Sequence, residues 1–83
     1  MSTIIKKQIG VSAVNLRSNS GFTQEELSDK ADISTRHLQD LEAAKKMAKV
    51  DTVFQLAHAL GVDYKKLLQN AWDEWLAEQS SSK

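Results

Sequence analysis

The side chains able to bind or to catalyse are few in this chain of 83 residues, and their types favour binding. The chain contains no cysteine and only two histidines, His37 and His58, which lie too far apart to suggest a zinc site. No nucleophile–base constellation and no phosphate-binding glycine loop occurs, so the sequence predicts no enzyme, no metal and no cofactor. Its one local basic cluster is Lys45, Lys46 and Lys49, and lysines grouped in this way can contact phosphates.

The distribution of charge is more informative than the net charge, which is zero. Residues 1–70 carry ten Lys or Arg against eight Asp or Glu, whereas residues 71–83 carry one against three. A mildly basic body with an acidic tail is compatible with DNA binding without demonstrating it. The chain also has no apolar run of the roughly 20 residues that a membrane span needs, and its first residues lack a signal-peptide pattern. We therefore expect one small cytoplasmic domain with no membrane partner.

The elements that position the polar residues are predicted to be helices. Proline is absent, and no segment shows the sustained alternation that is typical of a strand. Apolar residues recur instead at helical spacing, and helix caps are predicted at Thr23 (with Glu26), Ser34 and Asp63. The predicted helices span 5–19, 23–30, 34–42, 50–60 and 63–78, the last either continuous or broken near Asn70. The predicted fold class is all-α.

Residues 22–42 place two of these helices almost end to end, separated only by Ala31, Asp32 and Ile33. The chain has to turn sharply there, and aspartate tolerates the left-handed conformation that such a turn requires. Ser28 and Ala31 are small enough to let the two helices approach closely. The residues left facing outward on the second helix are then Thr35, Arg36, Gln39 and Asp40. A short polar helix pinned at its N-terminus by its predecessor has the geometry of a helix-turn-helix.

A series of motifs runs in order along residues 9–68 and carries a family resemblance. These motifs are Ile9-Gly10, Leu16-Arg17, Gly21-Phe22-Thr23-Gln24-Glu25-Glu26-Leu27, Ala31, Ile33-Ser34, Leu38, Leu41-Glu42, Asp51-Thr52-Val53 and Ala57-x-Ala59-Leu60-Gly61-Val62. Together, at this spacing, they resemble the lambda-repressor-like, Cro/Xre-type helix-turn-helix DNA-binding proteins. The resemblance implies a compact five-helix lambda-repressor-like domain in which helices 2 and 3 form the helix-turn-helix. A C-terminal helical extension goes beyond the family core.

The sequence departs from the family pattern at four places. Asp32 stands where the family usually has glycine in the turn, and Ser28 stands where it usually has alanine. Ala44 replaces the common glycine after the recognition helix, which can change the path of the loop that follows. Ala48-Lys49 replaces a frequent Pro-Ser pair, and without that cap the start of helix 4 can move to Asp51.

The resemblance also implies contacts with double-stranded DNA. Base contacts are carried over to Thr35, Arg36 and Asp40, because arginine can bind guanine O6 and N7 together and threonine can meet a thymine methyl. Gln24 is implied to grip a phosphate at the N-terminus of helix 2. The predicted DNA-binding residues are Gln24, Ser34, Thr35, Arg36, His37, Gln39, Asp40, Lys45, Lys46 and Lys49.

Some of these residues have a structural alternative. We favour an ion pair of Asp40 with Arg36, one turn away, because phosphates would repel a carboxylate on the reading face. His37 can touch phosphate or merely pack, and the lysines can simply be solvated. Arg17 and Glu42 are implied to form a structural ion pair between helices 1 and 3 that positions the reading helix.

The C-terminal stretch LLQNAWDEWLAEQ adds an apolar stripe at helical spacing, formed by Leu68, Trp72, Trp75 and Leu76. The stripe can complete the core of a monomer, or it can form a dimer interface, where aromatic residues are enriched. We favour a dimer, because one helix-turn-helix reads too few base pairs for useful specificity. The predicted organisation is a DNA-binding domain over 1–70, a helical extension for dimerisation over 71–79 and a disordered tail over 80–83.

The sequence therefore predicts a sequence-specific transcriptional regulator, acting as a homodimeric repressor that binds a palindromic operator through the major groove. Three settings fit that function: a phage-type repressor, a restriction–modification controller or an antitoxin. The alternative is a protein-interaction module or antitoxin-type regulator whose main partner is another protein, such as a toxin or a co-regulator. Zero net charge and the acidic Asp40 favour this alternative.

Overall fold

Five helices account for the architecture of the computed structural model, which describes residues 2–81 and the side chains of residues 4–80. They are α1 (Ser2–Ser20), α2 (Gln24–Ala31), α3 (Thr35–Glu42), α4 (Val50–Leu60) and α5 (Lys65–Ser81). No strand occurs among residues 2–81, so the predicted all-α, five-helix fold is confirmed. The last helix is continuous through Asn70 and reaches Ser81, two residues into the range 80–83 that was expected to be disordered. Residues 82 and 83 lie outside the described part of the chain.

The helix caps lie where the sequence predicts them. Thr23 forms the full capping box, since its hydroxyl accepts from the Glu26 amide at 3.1 Å and the Glu26 carboxylate accepts from the Thr23 amide at 2.9 Å. The Ser34 hydroxyl accepts from the His37 amide at 3.0 Å, and the Asp63 carboxylate accepts from the Lys65 amide at 2.9 Å. These caps satisfy amides that the first turn of each helix leaves without an intrahelical partner.

The start of α4 agrees with the predicted range 50–60 and does not move to Asp51. The helix begins at Val50, one residue before Asp51, although the N-cap residue Lys49 makes no side-chain capping hydrogen bond. The Asp51 carboxylate accepts from the Thr52 amide at 2.8 Å inside the first turn. This contact, together with the favourable position of an acidic residue at a helix N-terminus, supports the turn without an external cap.

The hydrophobic core lies between the helix-turn-helix, α1, α4 and the first part of α5. Its largest fully buried side chains are Leu27, Leu38, Leu41, Leu56 and Leu67. The long helices α1 and α5 pack along each other and are also joined by a hydrogen bond from the Asn70 amide to the Ser12 hydroxyl at 3.3 Å. No helix among residues 2–81 is long and apolar enough to cross a membrane.

Gly10 allows α1 to support the C-terminal end of α3 directly. A Cβ atom at this position would lie 2.7 Å from the Leu41 carbonyl oxygen and 2.9 Å from that of Glu42. Both distances are shorter than side chains tolerate against backbone, so any larger residue would push α3 outward. The position of α3 on the body is therefore fixed by backbone contact as well as by apolar packing.

Candidate DNA-binding surface

The turn between α2 and α3 has the sharp geometry that the sequence predicts. Asp32 adopts the left-handed conformation, with φ 60° and ψ 43°, and its amide donates to the Asp29 carbonyl at 3.2 Å. The Ile33 amide donates to the Ser28 carbonyl at 3.0 Å, which closes the end of α2. Ser28 and Ala31 are both buried beneath the turn. The turn therefore sends α3 across α2 at close range.

An ion pair anchors the far end of α3 to α1. Arg17 Nε donates to Glu42 Oε2 at 2.7 Å and Arg17 Nη2 donates to Glu42 Oε1 at 3.1 Å. The remaining guanidinium nitrogen, Nη1, donates to the Phe22 carbonyl at 3.1 Å. The side chains of Arg17 and Glu42 are only 18% and 5% exposed, so this bidentate pair is shielded from solvent and sensitive to the loss of either partner.

The Glu42 carboxylate also connects the Arg17 ion pair to α2 and to the outer face of α3. Gln24 Nε2 donates to Glu42 Oε1 at 2.8 Å, and Gln39 Nε2 approaches Gln24 Oε1 at 3.5 Å. The Gln24 amide is therefore held in place instead of being freely solvated. An amide nitrogen carries two hydrogens, so one N–H of Gln24 remains for a further acceptor.

The polar residues predicted to face outward on α3 separate into exposed and buried members. Arg36 and Gln39 are exposed, the Arg36 side chain by 80%, and Thr35 is half-buried. Asp40 is only 8% exposed, so the prediction that it faces outward is wrong. Among the flanking candidates, Ser34 is exposed but uses its hydroxyl as the helix cap, and His37 is half-buried.

Asp40 pairs with two cations that flank it. Its Oδ1 lies 3.4 Å from Arg36 Nε, and its Oδ2 lies 3.9 Å from Lys46 Nζ. The Arg36 pair is the i, i+4 contact that the sequence offers as the alternative to base reading. Both distances are long and both cations are largely exposed, so these pairs contribute little to stability. The Asp40 carboxylate instead brings Arg36 from α3 and Lys46 from the following loop close to each other.

The loop after α3 carries all three clustered lysines on its surface. Lys45, Lys46 and Lys49 are exposed. Ala44 adopts the left-handed conformation with φ 61°, and its amide donates to the Leu41 carbonyl at 3.1 Å. The Lys45 amide then donates to the Asp40 carbonyl at 2.8 Å. The loop thus keeps a left-handed residue at position 44, where the resemblance has glycine.

Sequence reasoning missed the contact between the two helices at Ser28 and Thr35. Their hydroxyl oxygens lie 2.9 Å apart across the turn, and Ser28 Oγ also lies 3.1 Å from the Glu25 carbonyl oxygen. The link from Gln24 to Glu42 was missed as well. The one available signal for the hydroxyl pair was that Ser28 departs from the alanine usual in the family.

A second surface, formed by the outer face of α5 and the start of α1, is apolar. Trp72 and Leu76 are 54% and 41% exposed, while Leu68 and Trp75 are half-buried. The two indoles stack with centroids 5.6 Å apart and an interplanar angle of 14°. Together with Leu68, Ala71 and Ile5 they line an open groove of about 290 Å³. The four residues of the predicted stripe therefore form a surface that is only partly covered by the chain itself.

Comparison with known proteins places these features in a family context. The family model HTH_3, described as helix-turn-helix, matches residues 15–67. The uncharacterized HTH-type transcriptional regulator y4dJ of Sinorhizobium fredii (strain NBRC 101917 / NGR234) is 34% identical over 64 residues, which cover 77% of this chain and 83% of that protein.

Solved structures share the fold at lower identity. An HTH_3 family transcriptional regulator from Vibrio cholerae superposes with a TM-score of 0.80 at 20% identity, over 84% of this chain and 39% of that one. The clp gene regulator ClgR from C. glutamicum superposes with a TM-score of 0.77 at 24% identity, over 84% and 91% of the two chains. The restriction-modification controller protein C.AhdI from Aeromonas hydrophila gives 0.72 at 21% identity, over 81% and 98%. The present chain thus spans about two fifths of the Vibrio protein and most of the other two.

Proposed function

The chain belongs to the helix-turn-helix family HTH_3, and on that premise we propose that this transcriptional regulator is a homodimeric repressor of a palindromic operator. In this proposal α3 enters the major groove and reads base edges, while α2 and the loop after α3 lie against the phosphate backbone. The cytoplasm is the proposed location.

The proposal is supported mainly by how firmly the rest of the chain holds α3 and by which side chains α3 exposes. Its inner face is buried through Leu38 and Leu41, and its outer face exposes Arg36 and Gln39. The left-handed turn at Asp32 fixes one end of the helix, and the buried Arg17–Glu42 pair fixes the other. A helix held this rigidly loses little conformational entropy when it docks, which favours recognition of a fixed pattern of base edges.

Each outward residue receives a role that suits its chemistry. Arg36 can bind guanine O6 and N7 together, and Gln39 can bind adenine N6 and N7. The free N–H of Gln24 is available to a phosphate at the N-terminus of α2. Asp40 is proposed to orient Arg36 and Lys46 instead of reading a base. The proposed DNA-facing residues are Gln24, Ser34, Thr35, Arg36, His37, Gln39, Lys45, Lys46 and Lys49.

The apolar surface on α5 is proposed to join two copies of the chain. Trp72 and Leu76 are large, apolar and exposed, and a two-fold axis through this face would stack the same residues against themselves. Burial of several hundred square ångströms of apolar surface, at about 25 cal/mol per Å², would favour association, and the entropic cost of binding offsets part of that gain. The two copies of α3 would then lie about 34 Å apart and meet successive major grooves.

A protein partner, such as a toxin or a co-regulator, is the second candidate for this apolar surface. The exposed Trp72 is the observation that favours it. The zero net charge of the chain also favours a protein-interaction module, whereas the burial of Asp40 weakens the argument from an acidic reading face. Sedimentation of the isolated chain separates the candidates, since a homodimer forms without any partner whereas a partner-binding module remains monomeric.

The test of the proposed function is the selection of bound sites from random duplex DNA. We expect enrichment of one motif with dyad symmetry, whose half-sites are separated by about one helical turn. Retention on heparin that falls with salt would accompany it, because phosphate contacts release counterions. If no motif is enriched while the chain still binds heparin, binding is nonspecific and the proposed operator recognition fails.

A further inference from the structure

We infer that Ser28 restricts the bases that Thr35 can accept, because it takes up the only hydrogen of the Thr35 hydroxyl. The inference rests on the proposed function, in which the first turn of α3 faces the major groove. It makes Ser28 a specificity-determining residue that touches no DNA itself.

Two short contacts define the site. Ser28 lies in the second half of α2 and is 2% exposed. Its oxygen lies 3.1 Å from the Glu25 carbonyl oxygen and 2.9 Å from the Thr35 hydroxyl oxygen. Thr35 is the first residue of α3 and is half-buried, and its hydroxyl contacts Ser28.

The number of hydrogens fixes the direction of both bonds. A carbonyl can only accept, so the contact with Glu25 requires the single hydrogen of Ser28. Ser28 can then only accept from Thr35, which must donate its own hydrogen. The reverse arrangement would leave two acceptor oxygens facing each other at 3.1 Å in a buried site, which costs free energy. The hydrogen bonds therefore run from Thr35 to Ser28 and from Ser28 to Glu25.

This direction determines what Thr35 can present to a groove. Because the hydrogen of the Thr35 hydroxyl is bonded to Ser28, this hydroxyl can only accept hydrogen bonds, and the Thr35 methyl group lies beside it. It can accept from adenine N6 or cytosine N4, and the methyl can meet that of thymine. It cannot donate to guanine O6 or N7, or to a phosphate oxygen. A threonine whose hydroxyl was free to rotate could do both.

The test compares the sites selected from random duplex DNA by the wild-type chain and by Ser28→Ala. Loss of Ser28 frees the Thr35 hydrogen, so guanine should become tolerated at one position in each half-site, with discrimination there falling about three- to tenfold. The other positions should keep their preference. The matched control is Ser12→Ala, which removes another buried serine hydroxyl, one that accepts from the Asn70 side chain on α5. It should lower stability without changing any base preference.

Thr35→Val keeps the shape of the side chain, removes the hydroxyl and identifies the position that this residue reads. Ser28→Ala in the Thr35→Val background should add no change at that position. If Thr35→Val alters no position, or if Ser28→Ala acts equally with and without the Thr35 hydroxyl, the inference is overturned while operator recognition stands. If the wild-type chain enriches no sequence at all, the proposed function fails and the inference falls with it.

Discussion

At Ala44 a side chain occupies a backbone conformation that favours glycine. Its φ of 61° places the Cβ atom close to the following carbonyl oxygen, which costs about 1–2 kcal/mol for a residue other than glycine. The loop nevertheless ends α3 through hydrogen bonds to the Leu41 and Asp40 carbonyls. The strain is therefore confined to the loop at Ala44, and the lysines that follow it remain exposed.

The first prediction is that Ala44→Gly raises the free energy of unfolding by about 0.5–1 kcal/mol, because relief of strain outweighs the added entropy of the unfolded chain. Urea unfolding followed by circular dichroism measures it. Ala43→Gly is the control, since Ala43 is exposed and has φ −85°, and it should lose about 0.5–1 kcal/mol. Equal destabilisation by both variants would show that residue 44 is not left-handed in solution.

The burial of Asp40 could not be predicted from local sequence rules. Spacing along α3 places it beside Arg36 and on the polar side of the helix, and that pair forms at 3.4 Å. Its burial depends on the loop that folds back over it, bringing Lys46 within 3.9 Å. No pattern inside α3 contains that information, because the path of the loop is set by the left-handed residue at position 44.

Among the elements, α3 depends on a carboxylate at its last residue. Glu42 joins α3 to Arg17 on α1 and to Gln24 on α2, and its side chain is 5% exposed. Removal of one partner from a shielded ion pair is costly, because the other charge remains without compensation.

The second prediction is that Glu42→Gln lowers the free energy of unfolding by about 3 kcal/mol. Denaturant unfolding measures it, with Glu25→Gln on the exposed face of α2 as the control that should change stability by no more than about 0.5 kcal/mol. The fraction that remains folded should keep the same base preference, because Glu42 positions the helix and does not read. A changed preference at unchanged stability would assign Glu42 to recognition itself.

The loop between α3 and α4 is the element proposed to follow the phosphate backbone. The third prediction is that changing Lys45, Lys46 and Lys49 together to Gln weakens binding to all duplexes. The slope of log K against log salt should flatten by up to about 3 units per subunit, because fewer counterions are released. The control changes three other exposed lysines, Lys7, Lys65 and Lys66, on α1 and α5. Equal slopes for both triple variants would show that the loop lysines are merely solvated.

The helices and their caps follow from local sequence, whereas their mutual contacts do not. The Thr23 capping box, the Ser34 cap and the left-handed Asp32 each depend on a few neighbouring residues, so propensity and spacing predict them. The role of Gly10 depends on α3 lying directly against it, and the contact of Ser28 with Thr35 depends on the angle between two helices. Such contacts become visible only when the helices are placed together.

The apolar face of α5 is only partly covered by the chain itself. Ala71 is buried on this helix, and α1 packs along the same helix. Truncation after Asn70 would therefore remove a buried residue as well as exposed ones. Exposed residues test the interface more cleanly.

The fourth prediction is that Trp72→Ala together with Leu76→Ala leaves the chain folded but raises the dimer dissociation constant by at least about tenfold, because apolar area is lost from the interface. Sedimentation measures the assembly, and circular dichroism checks the fold. The control pair is Val50→Ala with Phe54→Ala, which truncates two exposed apolar residues on α4. Dissociation caused by the control pair alone would show that the interface lies on α4.

We propose that α3 reads bases, and Arg36 is the residue expected to contribute most to this reading. We predict that Arg36→Ala weakens binding to the selected operator by about 1–3 kcal/mol and leaves binding to random duplexes nearly intact, because a bidentate base contact is lost. Arg36→Lys keeps the charge but lacks the planar fork, so it should show most of the same loss. The measurement is equilibrium binding of the three proteins to operator and scrambled duplexes at one salt concentration. Equal losses on both duplexes would contradict the claim and assign Arg36 to the phosphate backbone.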